Sequence, residues 1–224
     1  MAAMYIISRV DVISKCFSFA GAIILFGIFA VYSPHLDQTI ALLPYNVVTQ
    51  HFYGEVSGWC RFVYKLVPWI TASIITIAVF SLFYPRRFQQ SLQIKKVATI
   101  TLLALALGPG LVVNVLFKDH WGRARPYQVI RDHKQFTPFW QPQANHPENN
   151  SFCGGHASIG FFLGVPLLAL GRRKQAFYVG MLGGVVVGAV RMLQGGHYLS
   201  DIVLSGICVW LIAELTVYLI TKKE

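Results

Sequence analysis

Two basic side chains, Lys118 and Arg125, stand seven residues apart in the sequence, and Pro126 directly follows the second. Lysine and arginine bind phosphate oxygens, and a proline fixes the backbone beside them. This spacing therefore indicates a phosphate-binding segment. Considered alone, the segment also suits an interfacial anchor in which Lys118 extends its charged end towards a membrane surface.

A second segment, Gly154-Gly155-His156, comes at the start of a predicted helix. Glycines before a helix expose backbone N–H groups, and the helix N-terminus adds partial positive charge, so together they suit an anion. His156 can donate or accept a proton at the same place. The alternative for this segment is a flexible loop that enters a helix.

The third segment contains Arg191, His197 and Asp201, the last two being four residues apart. At the start of a helix this spacing puts both side chains on one face, where the carboxylate can accept a hydrogen bond from one imidazole nitrogen. The other nitrogen is then free to act as a nucleophile. A structural salt bridge between Arg191 and Asp201 is the alternative.

The composition indicates which kind of element positions these segments. Hydrophobic residues make up 55% of the 224-residue chain and charged residues 12%, against about 25% charged in soluble proteins. This balance indicates an integral membrane protein and excludes a large soluble domain. The net charge of +10 does not indicate nucleic-acid binding, because the basic residues fall between apolar runs and form no patch interleaved with aromatics.

Six apolar runs are long enough, or nearly so, to cross a bilayer. We predict an all-α fold: a polytopic membrane bundle of six transmembrane helices that forms one integral-membrane domain over residues 1–224. The fourth run is short and is expected to begin earlier, near the glycines, and Gly108-Pro109-Gly110 is expected to kink the third. Gly180, Gly184 and Gly188 recur every four residues and favour close helix packing. The runs are 12–32, 62–83, 97–117, 157–170, 177–193 and 202–220.

Basic residues are unevenly distributed between the two ends of the predicted spans. Eleven of the nineteen lie at one end, so the positive-inside rule places both termini in the cytoplasm. All seven histidines lie at the other, extracytoplasmic end, together with the three segments described above. The first run lacks a convincing cleavage site and is expected to remain as a signal anchor. The eleven residues are Arg9, Lys15, Arg86, Arg87, Lys95, Lys96, Arg172, Arg173, Lys174, Lys222 and Lys223.

The cysteines and one deep carboxylate are assigned no part in this chemistry. Cys16 and Cys208 lie in apolar runs and are expected to pack there. Cys60 and Cys153 lie on the outer, oxidising side, where a disulfide between them is one alternative and two free thiols are the other. Glu214 lies towards the cytoplasmic end of the sixth run and is interpreted as a buried structural partner or an interfacial group.

Taken together, the three segments resemble the signature of the type 2 phosphatidic acid phosphatase superfamily. The first and third segments match it at every charged position and spacing, and the resemblance covers about residues 97–220. Two positions depart from the signature, because Cys153-Gly154 stands where the family has Pro-Ser and Val190 stands where it has Ser. Gly154 loses a hydroxyl donor but keeps its backbone N–H, so activity is expected to be retained. The matching residues are Lys118, Arg125, Pro126, Gly155, His156, Arg191, His197 and Asp201.

This resemblance implies a role for each matching residue. His197 is the expected nucleophile that attacks phosphorus, and Asp201 is its orienting carboxylate. His156 is the expected general acid for the leaving oxygen. The family uses no metal and no cofactor. The groups expected to hold the phosphate oxygens are Lys118, Arg125, Arg191 and the backbone of Gly154 and Gly155.

The resemblance also implies a class of substrate. A lipid whose phosphorylated headgroup lies in the outer leaflet fits an active face outside the cell membrane. The stretch 118–127 and the loop through Phe139-Trp140 are most similar to bacterial lipid A phosphatases that act at the 1- or 4'-position. Undecaprenyl pyrophosphate, phosphatidylglycerophosphate and phosphatidic acid stay open as alternatives.

The expected location is a bacterial inner membrane, with the active site facing the periplasm. The expected partners are the phosphorylated lipid and the bilayer, with no nucleic acid and no obligate protein partner. A non-catalytic lipid transporter or scaffold is the alternative of another class. It explains six spans but gives no reason for His197 and Asp201 to accompany three outer cations. A thiol phosphatase is disfavoured, because no arginine follows Cys153 closely in the sequence.

Overall fold

Long helices account for most of the protein in the computed structural model, which describes residues 2–83, 89–146 and 148–222. Side chains are described from residue 20 to 83 and from residue 92 onwards within those ranges. Helices are the expected solution for so apolar a chain, because within lipid each backbone polar group must bond inside its own segment. The elements are α1 Ala2–Leu42, β1 Tyr45–Asn46, β2 His51–Phe52, α2 Tyr53–Val56, α3 Gly58–Leu82, α4 Gln89–Leu105, a π-helix Ala106–Lys118, α5 Pro126–Ile130, α6 Gly155–Phe162, α7 Val165–Ala169, α8 Arg173–Leu193 and α9 Leu199–Thr221.

Five helical segments within the described ranges are long and apolar enough to cross a membrane. The fourth predicted run, 157–170, forms instead a shorter apolar segment, Gly155–Ala169, divided into α6 and α7. Pro166 explains the division, because proline lacks the N–H that would donate to the carbonyl oxygen of Phe162, the last residue of α6, in an uninterrupted α-helix. The expected earlier start at the glycines is confirmed, whereas six full crossings stay a prediction. The five segments are Ala20–Leu42, Gly58–Leu82, Leu92–Lys118, Arg173–Leu193 and Leu199–Thr221.

The third run changes helix type in the region of the expected kink. α4 ends at Leu105, and a π-helix with a wider turn continues to Lys118. Pro109 accounts for the change, since its ring and missing N–H are incompatible with an uninterrupted α-helix. Asn114 Nδ2 donates a hydrogen bond to the carbonyl oxygen of Pro109 at 2.7 Å, within the wider turn.

Glycines of α8 lie directly against neighbouring helices. A Cβ added at Gly180 would lie 2.7 Å from the carbonyl oxygen of Phe161, and the Phe161 ring fills the space beside Gly184. At Gly188 the added atom would lie 2.4 Å from the side chain of Ile202 in α9. The close packing predicted from these glycines is therefore confirmed.

The contact between α6 and α8 brings two candidate site residues to fixed relative positions. A Cβ added at Gly160 would lie 2.5 Å from the carbonyl oxygen of Gly183, so the two helices touch backbone to backbone. α6 carries His156 near its beginning, and α8 carries Arg191 in its last turn. Packing in the apolar part of the bundle thus determines where these two side chains stand.

The structure describes some, but not all, of the charged residues that were predicted to lie at the cytoplasmic end. Arg173 forms a bidentate pair with Glu214, with N–O distances of 2.9 and 2.8 Å. Glu214 therefore has an ion-pair partner, but the pair is exposed and Glu214 is half-buried, which fits an interfacial group better than a buried one. The cytoplasmic location of the termini stays a prediction. Outside the described residues lie Arg86, Arg87 and Lys223, together with the side chains of Arg9, Lys15 and Cys16.

Candidate active site

Five basic side chains from separate parts of the chain come together at one end of the bundle. The charges of Arg125 and Arg191 act on both Lys118 and His197. His156 lies in the electrostatic field of all four. The structure therefore brings the three sequence segments to one site, and the role of each residue stays a prediction.

His197 lies in the short connection between α8 and α9 and is almost fully buried. Its Nδ1 is 2.6 Å from the backbone carbonyl oxygen of Ser151. A carbonyl can only accept, so Nδ1 carries the proton and the lone pair remains on Nε2. Burial lowers the pKa of His197 to about 4, and the charges of Arg191 and Arg125 add to the effect. The ring is therefore neutral at physiological pH, as a nucleophile requires.

Asp201 is close to His197, but the nearest recorded acceptor for the imidazole is another group. Asp201 Oδ2 lies 3.7 Å from His197 Nδ1, against 2.6 Å for the Ser151 carbonyl oxygen. The same Oδ2 accepts from the Ser151 hydroxyl at 2.6 Å and from the Tyr198 backbone N–H at 2.9 Å. Ser151 thus joins the carboxylate to the imidazole, with its hydroxyl on one and its carbonyl on the other.

The salt bridge of Asp201 is made with Arg123, a residue that sequence reasoning did not single out. Arg123 Nη1 donates to Asp201 Oδ1, and both side chains are fully buried. The alternative of a salt bridge between Arg191 and Asp201 is therefore not what the structure contains. Burial alone lowers the pKa of Arg123, but the charges of Asp201 and Asp37 outweigh it and raise that pKa.

Asp37 of α1 is the second carboxylate on Arg123. It accepts from Arg123 Nη2 at 2.8 Å and from the backbone N–H of Ser200 at 2.9 Å. Arg123 also donates Nε–H to the carbonyl oxygen of Thr137 at 2.9 Å, and its guanidinium carbon lies 4.3 Å from the centre of the Tyr198 ring. α1 continues to Leu42, ten residues beyond the predicted run, and this extension is what carries Asp37 to the site.

Unlike Arg123, Arg125 and Arg191 each have an Nε–H donor that makes no hydrogen bond with the described residues. The Nε atoms of both are buried, and neither has a hydrogen-bond partner among the described residues. Arg191 Nη1 donates to Gln194 Oε1 at 2.6 Å, and the guanidinium lies 4.9 Å from the ring centre of Tyr64. Leaving a buried donor unpaired is costly, so these two N–H groups suit an acceptor such as a phosphate oxygen.

His156 is the second residue of α6, directly after the two glycines. Its ring stacks on that of Tyr64, with centroids 4.3 Å apart and an interplanar angle of 17°. A Cβ added at Gly155 would lie 2.5 Å from Asn114 Oδ1, so a side chain is excluded there by packing as well as by any need to bind an anion. Tyr64, which orients His156 and contacts Arg191, was not anticipated from the sequence.

The two cysteines predicted to lie on the outer side are free thiols. Cys60 and Cys153 are both buried, and the disulfide weighed between them does not form. Cys153 interacts instead with Cys208 of α9. Burial raises the pKa of Cys153 well above its ordinary value, so the reactive thiolate is disfavoured.

Comparisons with known proteins agree with this geometry. A lipid A 4'-phosphatase of Francisella tularensis subsp. novicida is 34% identical over 205 residues, which is 88% of this chain and 91% of that protein. A lipid A 4'-phosphatase of Rhizobium leguminosarum is 26% identical over 159 residues, 68% of each chain. No solved structure matches the chain. The PAP2 superfamily matches residues 98–224, which include all three charged segments, and the chain therefore belongs to this superfamily of metal-independent phosphatases.

Proposed function

We propose that the protein hydrolyses the 4'-phosphate of lipid A at the extracytoplasmic face of a bacterial inner membrane. The observation that carries the proposal is the pair of buried Nε–H groups of Arg125 and Arg191, which have no hydrogen-bond partner in the described part of the chain and lie beside two histidines. Cations with free donors suit a phosphate, and a buried neutral imidazole suits attack on phosphorus.

In the proposed reaction, His197 Nε2 attacks the phosphorus atom and the bond from phosphorus to the sugar oxygen breaks. His156 donates a proton to that oxygen, so the sugar leaves as an alcohol. Water then attacks the phosphorus atom of the phosphohistidine, His156 accepts a proton from that water, the bond from phosphorus to His197 Nε2 breaks, and inorganic phosphate leaves. A bound phosphate monoester carries negative charge into a site with three cations, which favours the protonated form of His156 that the first step needs.

The buried cluster behind His197 supports this nucleophile. Asp37 and Asp201 carry two formal negative charges and Arg123 one positive charge, so the cluster has an excess of one negative charge when both carboxylates are ionised. His197 acquires positive charge as Nε2 bonds to phosphorus. An acceptor on Nδ1 and a nearby negative cluster both stabilise that charge.

The choice of substrate rests on the relatives. Two of them, from different bacteria, are named lipid A 4'-phosphatases. The periplasmic location rests on the distribution of basic residues along the sequence, which favours cytoplasmic termini.

The test is phosphate release by the purified protein from four lipids in detergent micelles. These are lipid A, undecaprenyl pyrophosphate, phosphatidylglycerophosphate and phosphatidic acid, with His197→Ala as the inactive control. Mass spectrometry of the lipid A product should show loss of the 4'-phosphate and retention of the 1-phosphate. Loss of the 1-phosphate, or faster hydrolysis of another lipid in the panel, would reject the proposed substrate.

A further inference from the structure

A cavity of about 360 Å³ with a strongly basic lining adjoins the candidate active site. Four of its lining residues are arginines, and one, Glu55, is a carboxylate. Two of the arginines, Arg125 and Arg191, are the expected ligands of the reacting phosphate. The other two, Arg61 and Arg131, belong to none of the three segments that the sequence signature covers.

Arg61 lies in the first turn of α3 and has almost no partner of its own. Its recorded polar contact within the described part of the chain is a long one, from Nη2 to the carbonyl oxygen of Val56 at 3.5 Å. No carboxylate of that part lies within ion-pair distance of it. The side chain is exposed, so it can turn towards a ligand in the cavity.

Arg131 directly follows α5, and its side chain makes more contacts than that of Arg61. Its Nη1 lies 3.1 Å from Glu55 Oε1, and its guanidinium carbon lies 5.2 Å from the ring centre of Tyr127. Glu55 also accepts the backbone N–H of Phe52 at 2.9 Å, so this carboxylate is fixed in place. Arginine has five N–H donors, and the Glu55 contact uses only Nη1.

The charge balance of the cavity favours an anion in addition to the reacting phosphate. Four guanidinium groups face one carboxylate, which leaves an excess of three positive charges. Lys118, Arg125 and Arg191 already suffice for the three oxygens of one phosphate. Arg61 and Arg131 come from other elements of the fold and remain available for a second group. Guanidinium donors match both phosphate and carboxylate oxygens.

We propose that Arg61 and Arg131 form a subsite for a second anionic group on the headgroup of the same substrate molecule. The ligand class is a glycolipid headgroup with two separated phosphates, or with a phosphate and a sugar carboxylate. The cavity shares Arg125 and Arg191 with the reaction site, so a group held there is carried by the molecule being hydrolysed. This inference rests on the proposed function, because a substrate with one phosphate has nothing to place in the subsite.

The test compares binding of two lipids in the His197→Ala background, where substrate stays intact. One is lipid A with both phosphates, and the other is lipid A that carries only the 4'-phosphate. The His197→Ala protein should bind the lipid A with both phosphates about 10- to 100-fold more tightly than the lipid A with one. This is the range expected for charge-assisted hydrogen bonds to one group. Adding Arg61→Gln and Arg131→Gln should abolish this preference and leave affinity for the second lipid unchanged.

Lys65→Gln is the matched control, because Lys65 is exposed one helical turn from Arg61 and does not line the cavity. It removes the same charge and should keep the preference. Arg61→Gln alone breaks no ion pair with any described residue, so this variant should fold even if the double variant folds poorly. It should halve the preference on a logarithmic scale.

Equal affinity of the His197→Ala protein for both lipids, or an equal loss for both lipids in the double variant, would overturn the subsite. A preference that Lys65→Gln abolishes equally would do the same. The proposed function is decided separately by turnover with His197 present. Absence of lipid A hydrolysis in that assay would reject the function, while the binding comparison would still decide the subsite.

Discussion

Replacement of Arg123 should lower the stability of the folded protein. Replacement of Arg125, two residues away, should leave the protein folded and inactive. Arg123 is fully buried and donates to two carboxylates, Asp37 and Asp201. Arg123→Gln leaves both without their cation, and breaking a buried ion pair costs about 3–5 kcal/mol. For a chain of this size the melting temperature should fall by roughly 6–20 °C.

Arg125→Gln removes a guanidinium whose buried Nε has no partner among the described residues, so little stability depends on it. Its expected loss is in kcat/KM, about 10²–10³-fold, as for removal of one donor to a transition-state oxyanion. Both variants are purified in the same detergent, and thermal unfolding and phosphate release are measured on each. Adding Asp37→Asn to Arg123→Gln should restore part of the melting temperature, because one uncompensated buried charge is removed.

A melting temperature of Arg123→Gln equal to that of the wild type would refute the assignment of Arg123 as the buried partner of two carboxylates. A large loss of stability in Arg125→Gln would equally contradict it, because it would mean that the free donors of Arg125 are used in folding. If adding Asp37→Asn does not raise the melting temperature of Arg123→Gln, then Asp37 is not charged in the folded protein.

Four further predictions concern the chemistry and the topology. On a substrate with a good leaving group, His156→Ala should retain much more activity than His197→Ala, and trapped phosphate should map to His197; phosphate on His156 would reverse the two roles. On the same good-leaving-group substrate, which does not need protonated His156, kcat/KM should hold as pH falls through 6.5 and drop only near pH 4, because the neutral imidazole of His197 is the nucleophile and its pKa is lowered to about 4; a fall centred near 6.5 would contradict this. Cys153→Ser should stay active, since burial disfavours the thiolate, and a folded but dead variant would reopen thiol chemistry. A membrane-impermeant thiol reagent added to whole cells should label His133→Cys but not Arg172→Cys, which is exposed and lies outside the membrane-crossing segments, and the opposite result would overturn the predicted topology.

Much of the site could be predicted, because placing residues such as Arg191 and His197 near a membrane costs free energy unless they have a polar partner or ligand. Their spacing also has a direct geometric meaning, since residues four apart lie on one face of a helix. The glycines of α8 likewise predicted close packing, because the absence of a side chain is itself the structural signal.

Other parts of the site depend on contacts that no local pattern contains. Asp37 is 86 residues from Arg123, its ion-pair partner, and lies in a helix whose apolar run is shorter than the helix itself. In the sequence, Arg123 lies between the expected phosphate ligands Lys118 and Arg125, so it resembles a third cation at the membrane surface. A signal did exist, because the chain has only nine acidic residues, and a carboxylate close to the end of an apolar run requires a cation. The division of the segment Gly155–Ala169 at Pro166 was missed for another reason, since hydropathy does not record where a helix must break.

The backbone contact between α6 and α8 also limits how a lipid can reach the enzyme. At Gly160 and Gly183 the two helices leave no room even for a methyl group, so an acyl chain cannot pass between them. The tails of a substrate must therefore stay in the bilayer on another flank while its headgroup enters from the membrane surface. The contact between α6 and α8 is thus closed to lipid, and the route by which substrate enters lies elsewhere around the bundle.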